Sequence, residues 1–366
     1  MTVSSTEPTR AICVYEDRPH NFTGVKLTLL SLMNRFPGAV LYVAHRSMPE
    51  SFRAWMADFP FIRELVFDVD EIGGFDVKPA ALLRLLDLGH SEVFWFDSDI
   101  IWIGAGTAGL DNLPRDVFVA TEETYWSQQQ GSLKRTLYWG MKPGRALTAT
   151  VNTGILRATE DHRQLLEAWT ELLHHPRYRH AQAKRAAERP IHMLGDQEVL
   201  TALLGAERFA GIPLRLLRRG LDIAQCFGPA GWTPFERLQC LSRGHPHFIH
   251  AMGVKPWTQM KTGRRFWSAL RQRDLRAYYD AVSIELSPYR VAAEKYSEQL
   301  HEDISWLQPQ TLPARISVFL FRNHFLAQGM PLAMFDSLTR RLRRWLGIAR
   351  YHEYEEYILQ TSPLSP

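Results

Sequence analysis

Apolar residues follow two rhythms along this chain. Continuous apolar runs at residues 11–15, 39–44 and 93–96 read as strands of a mostly buried sheet, and Glu64 to Phe67 as another strand. Between them, residues 25–33, 49–58 and 79–88 carry apolar positions at helical spacing, the last closed by Gly89. Strands alternating with helices predict an α/β fold with a mostly parallel sheet that receives ligands at the carboxyl ends of its strands. After Asp99 the alternation loosens. Residues 117–120 and 151–156 read as strands, 124–140 as an aromatic, Gln-rich loop, 165–173 and 197–204 as helices, and 248–249 as a last short apolar run. Further on, Gly and Pro thin out and long amphipathic helices are expected. The chain is therefore divided into an α/β part, residues 8–260, and a helical C-terminal extension, residues 261–366.

Composition narrows the class. Of 366 residues, 45% are apolar and 22% charged, which is globular and excludes a disordered chain. A net charge of +4 is small for this length and does not call for nucleic acid. Three cysteines, Cys13, Cys226 and Cys240, are too few and scattered for a disulfide framework or a zinc set, and read as reduced thiols. The first ten residues are polar, so no secretory signal is expected, and no run approaches the ~20 apolar residues of a spanning helix. The expected location is the cytoplasm.

Four constellations carry chemistry. Phe94-Trp95-Phe96-Asp97-Ser98-Asp99 is an apolar strand delivering two carboxylates separated by one small residue. In an extended chain Asp97 and Asp99 project to the same side and repel each other unless a cation lies between them. A hard divalent ion takes such carboxylates together with phosphate oxygens. An exposed acidic turn would look the same. His250 follows the short run 248–249 and heads His250-Ala251-Met252-Gly253-Val254-Lys255-Pro256-Trp257. An imidazole beside carboxylates favours manganese over magnesium. Gly253 lets backbone approach a phosphate, and Lys255 offers it a compact charge. A satisfied structural histidine is the competing reading of His250. Asn152-Thr153-Gly154 interrupts a strand either with hydrogen-bonding groups and a bare spot for close packing, or with a β-bulge. In Gly195-Asp196-Gln197-Glu198, Asp196 reads equally well as a helix N-cap.

In this order the motifs resemble the glycosyltransferase family that includes glycogenin and the bacterial lipopolysaccharide galactosyltransferases. That family has a Lys or Arg on a helix, an Asp-x-Asp, an Asn-x-Gly strand, an Asp-Gln pair and a His-x-x-Gly segment ending Lys-Pro-Trp. The corresponding residues here are Lys78 and Arg84, Asp97-Ser98-Asp99, Asn152-Thr153-Gly154, Asp196-Gln197 and residues 250–257. One spacing departs: only Val254 separates Gly253 from Lys255, where the family usually has two residues. The resemblance implies a GT-A-type, Rossmann-like mixed sheet flanked by helices, and a retaining hexosyltransferase that takes a UDP-sugar. It implies that Asp97, Asp99 and His250 hold manganese, with magnesium as second choice, and that Gly253 and Lys255 hold the diphosphate. The loop from Tyr15 to Asp17 would face the base, Ser98 would lie within the metal motif, Lys78, Arg84, Asn152 and Asp196 would position the donor sugar, and Gln197 would stand at the reacting face with Asp196.

The acceptor is left as a glycan, a lipid-linked saccharide or a peptide. Arg340, Arg341, Arg343 and Arg344 cluster around Leu342 and Trp345, and residues 316–325 add apolar and aromatic groups. This tail either lies on the inner face of an anionic membrane or packs its Leu and Trp residues onto the α/β part. Tyr125, Trp126, Tyr138 and Trp139 either stack on an acceptor sugar or fill core. Two other classes compete with the transferase: a nucleotidyltransferase, which would carry a Gly-rich basic loop where Glu16-Asp17-Arg18-Pro19 stands, and a non-catalytic sugar-binding protein.

Overall fold

The first apolar run becomes the middle of a sheet. A computed structural model describes residues 10–33, 35–68, 74–123, 129–258, 266–271, 273, 275–322 and 324–347. In it, β1 (Arg10–Tyr15), α1 (Phe22–Leu32), β2 (Val40–His45), α2 (Glu50–Met56), β3 (Ile62–Val66), α3 (Lys78–Asp87) and β4 (Glu92–Asp97) alternate as the pattern predicts. There follow β5 (Ile100–Trp102), β6 (Phe118–Glu122), α4 (Gln129–Tyr138), β7 (Val151–Thr159), α5 (Arg163–His174), α6 (Pro176–Gln182) and α7 (Asp196–Gly205). Next come β8 (Leu214–Leu217), β9 (Ile223–Gln225), α8 (Gly228–Gly231), α9 (Pro234–Arg243) and β10 (Phe248–His250). The C-terminal part holds α10 (Phe266–Arg271), α11 (Leu275–Glu285), α12 (Pro288–Ala293), α13 (Leu312–Phe321) and α14 (Met330–Trp345).

Seven strands form one sheet in the order β3-β2-β1-β4-β7-β6-β8. β7 runs antiparallel to both neighbours, β4 and β6, and the other pairings are parallel. The expected mixed, mostly parallel sheet flanked by helices is thus the one observed. Alternate residues of each strand feed opposite faces. Ala11, Cys13, Val93 and Trp95 pack with α3, α5 and α7 through Leu82, Leu85, Trp169 and Leu200. Ile12, Val14, Phe94 and Phe96 pack with α1 and α2 through Val25, Leu29, Phe52 and Trp55. A small second sheet, β5-β10-β9, pairs β10 antiparallel to β5 and parallel to β9.

The expected loop over 124–140 contains a helix, α4. Its inward face hid the periodicity because Arg135 and Thr136, both fully buried, occupy positions where apolar residues would be looked for. Thr136 donates to the Ala202 carbonyl at 2.9 Å, tying α4 to α7. Beyond α10 the chain folds back on the first part. Tyr289, Ala293, Trp306 and Leu307 share one core with Leu27, Ile101, Ile249 and Trp257. The tail's last helix lies against α8 and α9 with its Ala333 buried, whereas Leu342 is 51% exposed and Trp345 82%, so the expected packing onto the body does not extend to these two residues. No described helix is long and apolar enough to cross a membrane.

Candidate functional site

From β1 the chain steps outward to β2 and β3, then crosses back to β4 on the other side of β1, so the loops leaving β1 and β4 diverge and open a crevice. Tyr15 to Arg18 leave the end of β1, and Asp97 ends β4. Because β7 is antiparallel, its beginning comes to this same edge: Phe96 pairs with Ile155, which sets Asp97 beside Gly154. A cavity of about 540 Å³ lies here, lined by Tyr15, Asp17, Lys78, Asp97, Ser98, Asp99, Asn152, Asp196, Gln197, His250, Gly253 and Lys255.

Strand pairing delivers His250 to the acids. In the small sheet His250 is registered against Ile100, and the Ala251 N–H donates to the Asp99 carbonyl at 2.9 Å. Its Nε2 lies 3.2 Å from Asp99 Oδ1 and 3.8 Å from Asp97 Oδ2. One ligand atom from each of the three residues falls within 4.8 Å of the others, and among the described residues no other His, Cys or acidic cluster does so. Two carboxylate oxygens and one imidazole nitrogen suit a divalent ion of the manganese type. The His250 ring is held by packing: its buried Nδ1 has no hydrogen-bond partner, and a Cβ at Gly154 would lie 2.9 Å from Cε1 and 3.2 Å from Nδ1. The bare spot in Asn-Thr-Gly is therefore where the imidazole rests. The β-bulge reading of that segment also holds, since the β6–β7 register shifts between Val119 and Thr121.

Around the acids the polar groups form a continuous set. Lys78 Nζ lies 3.1 Å from Asp97 Oδ1 and 3.4 Å from Asp196 Oδ2, and donates to Thr153 Oγ1 at 2.7 Å. Burial works against its ammonium, but Asp196 and Asp97 outweigh it and hold its pKa above the usual lysine value. Thr153 Oγ1 in turn donates to Asp196 Oδ2 at 2.7 Å, so the Asp196 carboxylate faces the site rather than capping its helix; Gly195 occupies the N-cap. Asn152 Nδ2 donates to Glu123 Oε2 at 2.8 Å and to Gln197 Oε1 at 3.3 Å. Burial alone would raise the Asp99 carboxyl; Lys255 and His250 outweigh it and keep Asp99 well below the carboxylate range.

Lys255 reaches the site despite its shortened spacing, pairing with Asp99 Oδ2 and donating to the Ala251 carbonyl at 2.9 Å. Gly253, at φ +78°, supplies the turn that permits this. Trp257 locks the segment onto α1: a Cβ at Gly24 would lie 2.5 Å from the Ser98 carbonyl and 2.6 Å from the indole. Ser98 Oγ donates to buried Glu16 Oε2 at 2.9 Å, and Tyr15 OH to Asp17 Oδ2 at 2.9 Å.

Arg84 is the expected site residue that lies elsewhere. Its Nη1 donates to the Val66 carbonyl at 2.6 Å and its guanidinium covers Phe67. Six positions after Lys78, it projects about 240° further round the helix. Tyr138 and Trp139 pack against His192, with Trp139 Nε1 donating to the His192 carbonyl at 3.0 Å, so both are packing residues; Tyr125 and Trp126 lie outside the described residues. Sequence reasoning gave no site role to Glu123 or Glu198. Burial pushes the Glu198 carboxyl up to about 7, against the pull of Arg135. Only its place beside Gln197 could have marked it.

The lining is electronegative: Glu16, Asp17, Asp97, Asp99, Asp196 and Glu198 face Arg18, Lys78 and Lys255. An anionic ligand enters such a crevice favourably only in company with a cation.

No protein-family model and no curated protein matches the chain. Among solved structures it is similar to the WbbM bifunctional glycosyltransferase at 13% identity and a TM-score of 0.46, over 75% of this chain and 52% of that one. It is similar to the galactosyltransferase LgtC, solved with donor and acceptor sugar analogues, at 14% identity and a TM-score of 0.44, over 73% of this chain and 94% of that one. A third similarity is to the glycosyltransferase GlyE of Streptococcus pneumoniae TIGR4, at 15% identity and a TM-score of 0.42, over 80% and 64%. The chain thus spans about half the length of the first of these.

Proposed function

We propose that this chain is a retaining glycosyltransferase that moves a hexose from a UDP-sugar to a glycan, lipid-linked saccharide or peptide acceptor. The observation that carries the reading is the convergence of Asp97, Asp99 and His250 in a crevice also lined by Lys255 and by Asn152, Asp196 and Gln197. A diphosphate would be repelled by the acidic lining, and the same three residues are a fitting donor set for manganese, or for magnesium as second choice. When bound, the ion would neutralise charge gathering on the departing diphosphate.

The chain's own residues would then do the following. Lys255 and the Gly253 backbone hold the diphosphate, and Tyr15 and Asp17 meet the base. Lys78, Asn152 and Asp196 fix the sugar hydroxyls through the hydrogen-bonded set described above. Gln197 stands at the reacting face with its carbonyl oxygen held by Asn152 and its amide donating to Glu198 Oε1 at 3.2 Å. An amide is a poor covalent nucleophile, which favours attack by the acceptor from the face the diphosphate leaves. The protein would work in the cytoplasm, with the basic α14 touching the inner face of the membrane.

Calorimetry with UDP and manganese, repeated in chelator and on Asp99→Ala, tests the donor site. A heat component that requires metal and is lost in Asp99→Ala is expected. Screening nucleotide sugars for metal-dependent hydrolysis then identifies the donor, and NMR of the product anomer reports the stereochemistry. No UDP heat with metal present, or release of pyrophosphate from UTP instead of UDP from a nucleotide sugar, overturns the reading.

A further inference from the structure

Met252 and Gly253 form a wall with a cavity on each side. The second, of about 480 Å³, lies between the loop after β9 and the helices α11 and α14. Its chemistry is cationic: Arg237, Arg276, Arg340 and Arg343 line it against Asp280 and Asp336. Asp336 is engaged already, ion-paired with Arg340 and accepting from Tyr279 OH at 3.0 Å.

Arg237 is the telling residue. It is 4% exposed, and its guanidinium lies 4.4 Å over the Trp232 ring. Its protein acceptors are carbonyls: Nε donates to Trp232 at 3.2 Å and Nη1 to Leu326 at 3.0 Å. Among the described residues Nη2 has no acceptor, and no carboxylate lies within ion-pair distance of the group. Gly329, which also lines the cavity, leaves the room this requires, since a Cβ there would lie 2.9 Å from Nη2. A buried cation without counter-charge is unfavourable, and burial lowers this guanidinium to about 10. An incoming anion would supply what the protein does not.

We infer that this second cavity is an anion subsite that grips a phosphate or diphosphate group on the acceptor. Guanidinium forks match phosphate oxygens in pairs, whereas a neutral sugar would call for amides and carboxylates. The shared wall puts an acceptor anchored there beside the donor cavity. Its role as an acceptor site rests on the glycosyltransferase reading; the anion binding does not.

The test is calorimetry of inorganic pyrophosphate on the full chain in chelator, with UDP and manganese titrated in parallel. The unaltered chain and Lys255→Gln are expected to bind pyrophosphate. The surface pair Arg276→Gln/Arg343→Gln should weaken it tenfold or more and leave UDP–manganese binding within twofold. Arg237→Gln, if circular dichroism reports a folded chain, should abolish it; the surface pair decides the matter if it does not fold. Absence of pyrophosphate heat, indifference to the arginine pair, or loss only in Lys255→Gln overturns the inference. Arginine-dependent pyrophosphate binding without UDP binding would sustain the anion subsite and remove the transferase reading. Phosphatidylcholine vesicles doped with phosphatidic acid, and glycerol phosphate in solution, separate the sources. Competition by the vesicles alone assigns a lipid-borne phosphate, competition by glycerol phosphate assigns a soluble one, and competition by neither, with arginine-dependent pyrophosphate binding intact, assigns the subsite to a diphosphate.

Discussion

Gly154 shows how much of the site depends on a missing atom. Alanine there would bring a Cβ within 2.9 Å of both the His250 ring and Asn152 Oδ1, and the flexible imidazole is what gives way. Gly154→Ala is expected to weaken manganese binding about 10–100-fold, the usual cost of disturbing what orients a ligand. Its stability should fall by no more than about 1–3 kcal/mol. Manganese titration and urea unfolding of the same samples check the two halves. Glu198 makes a different prediction. Burial lifts its carboxyl from the ordinary 4.5 to about 7, so the folded chain holds a proton that the unfolded chain has already released. Folding is opposed progressively as pH rises from 4.5 to 7, and fully above that window. Glu198→Gln should therefore be more stable than the unaltered chain at pH 8, by about 1–3 kcal/mol, with no gain at pH 4.5. Equal gains at both pH values in urea unfolding would discard burial as the cause. Asp97, Asp99, His250 and Lys255 were legible in the sequence because their residue types carry the chemistry. Glu123 and Glu198 were not, since an acid's burial is decided by what folds over it. Arg84 was misplaced because being near Lys78 in sequence is not being on the same helical face.

Among the elements, α14 stands apart. Phe335, Leu338, Leu342 and Trp345 are 51–82% exposed, with Arg340, Arg341 and Arg343 on the same helix. Apolar groups left in water beside a row of cations complement an anionic lipid surface, each cation contributing about 1 kcal/mol near it. Co-sedimentation with vesicles containing phosphatidylglycerol is expected, with little on neutral vesicles and a marked loss in high salt. Leu342→Ser/Trp345→Ser should reduce it severalfold. Equal binding to neutral vesicles would remove the electrostatic part of this expectation. Elements of this kind were readable from their amphipathic period, and β1, β2 and β4 from their apolar runs. β5, β8 and β9, of three or four residues each, are too short to display a period, yet β5 is the strand that brings His250 to Asp99. The site's residues could be guessed from sequence; the pairing that assembles them could not.

At the scale of the molecule, the sheet was legible because parallel strands buried on both faces must be apolar throughout. The return of the tail onto Trp257 was not, because Tyr289 and Trp306 look like ordinary helix residues until their partners are known. The fold has one long-range consequence. His250 and Asp99 stand side by side with residues 100–249 strung between them, a span that includes β6 to β9. An ion held by both would act as a clasp across more than a third of the chain, joined only when that whole excursion is in place. Bound at a hundred times its dissociation constant, it should add about 2.7 kcal/mol to the free energy of global unfolding. The urea midpoint should rise with manganese, return with chelator and stay put in Asp99→Ala. Hydrogen exchange should slow in β6 to β9 together with the residues at the ion, because a clasp fastened at its two ends holds everything threaded between them.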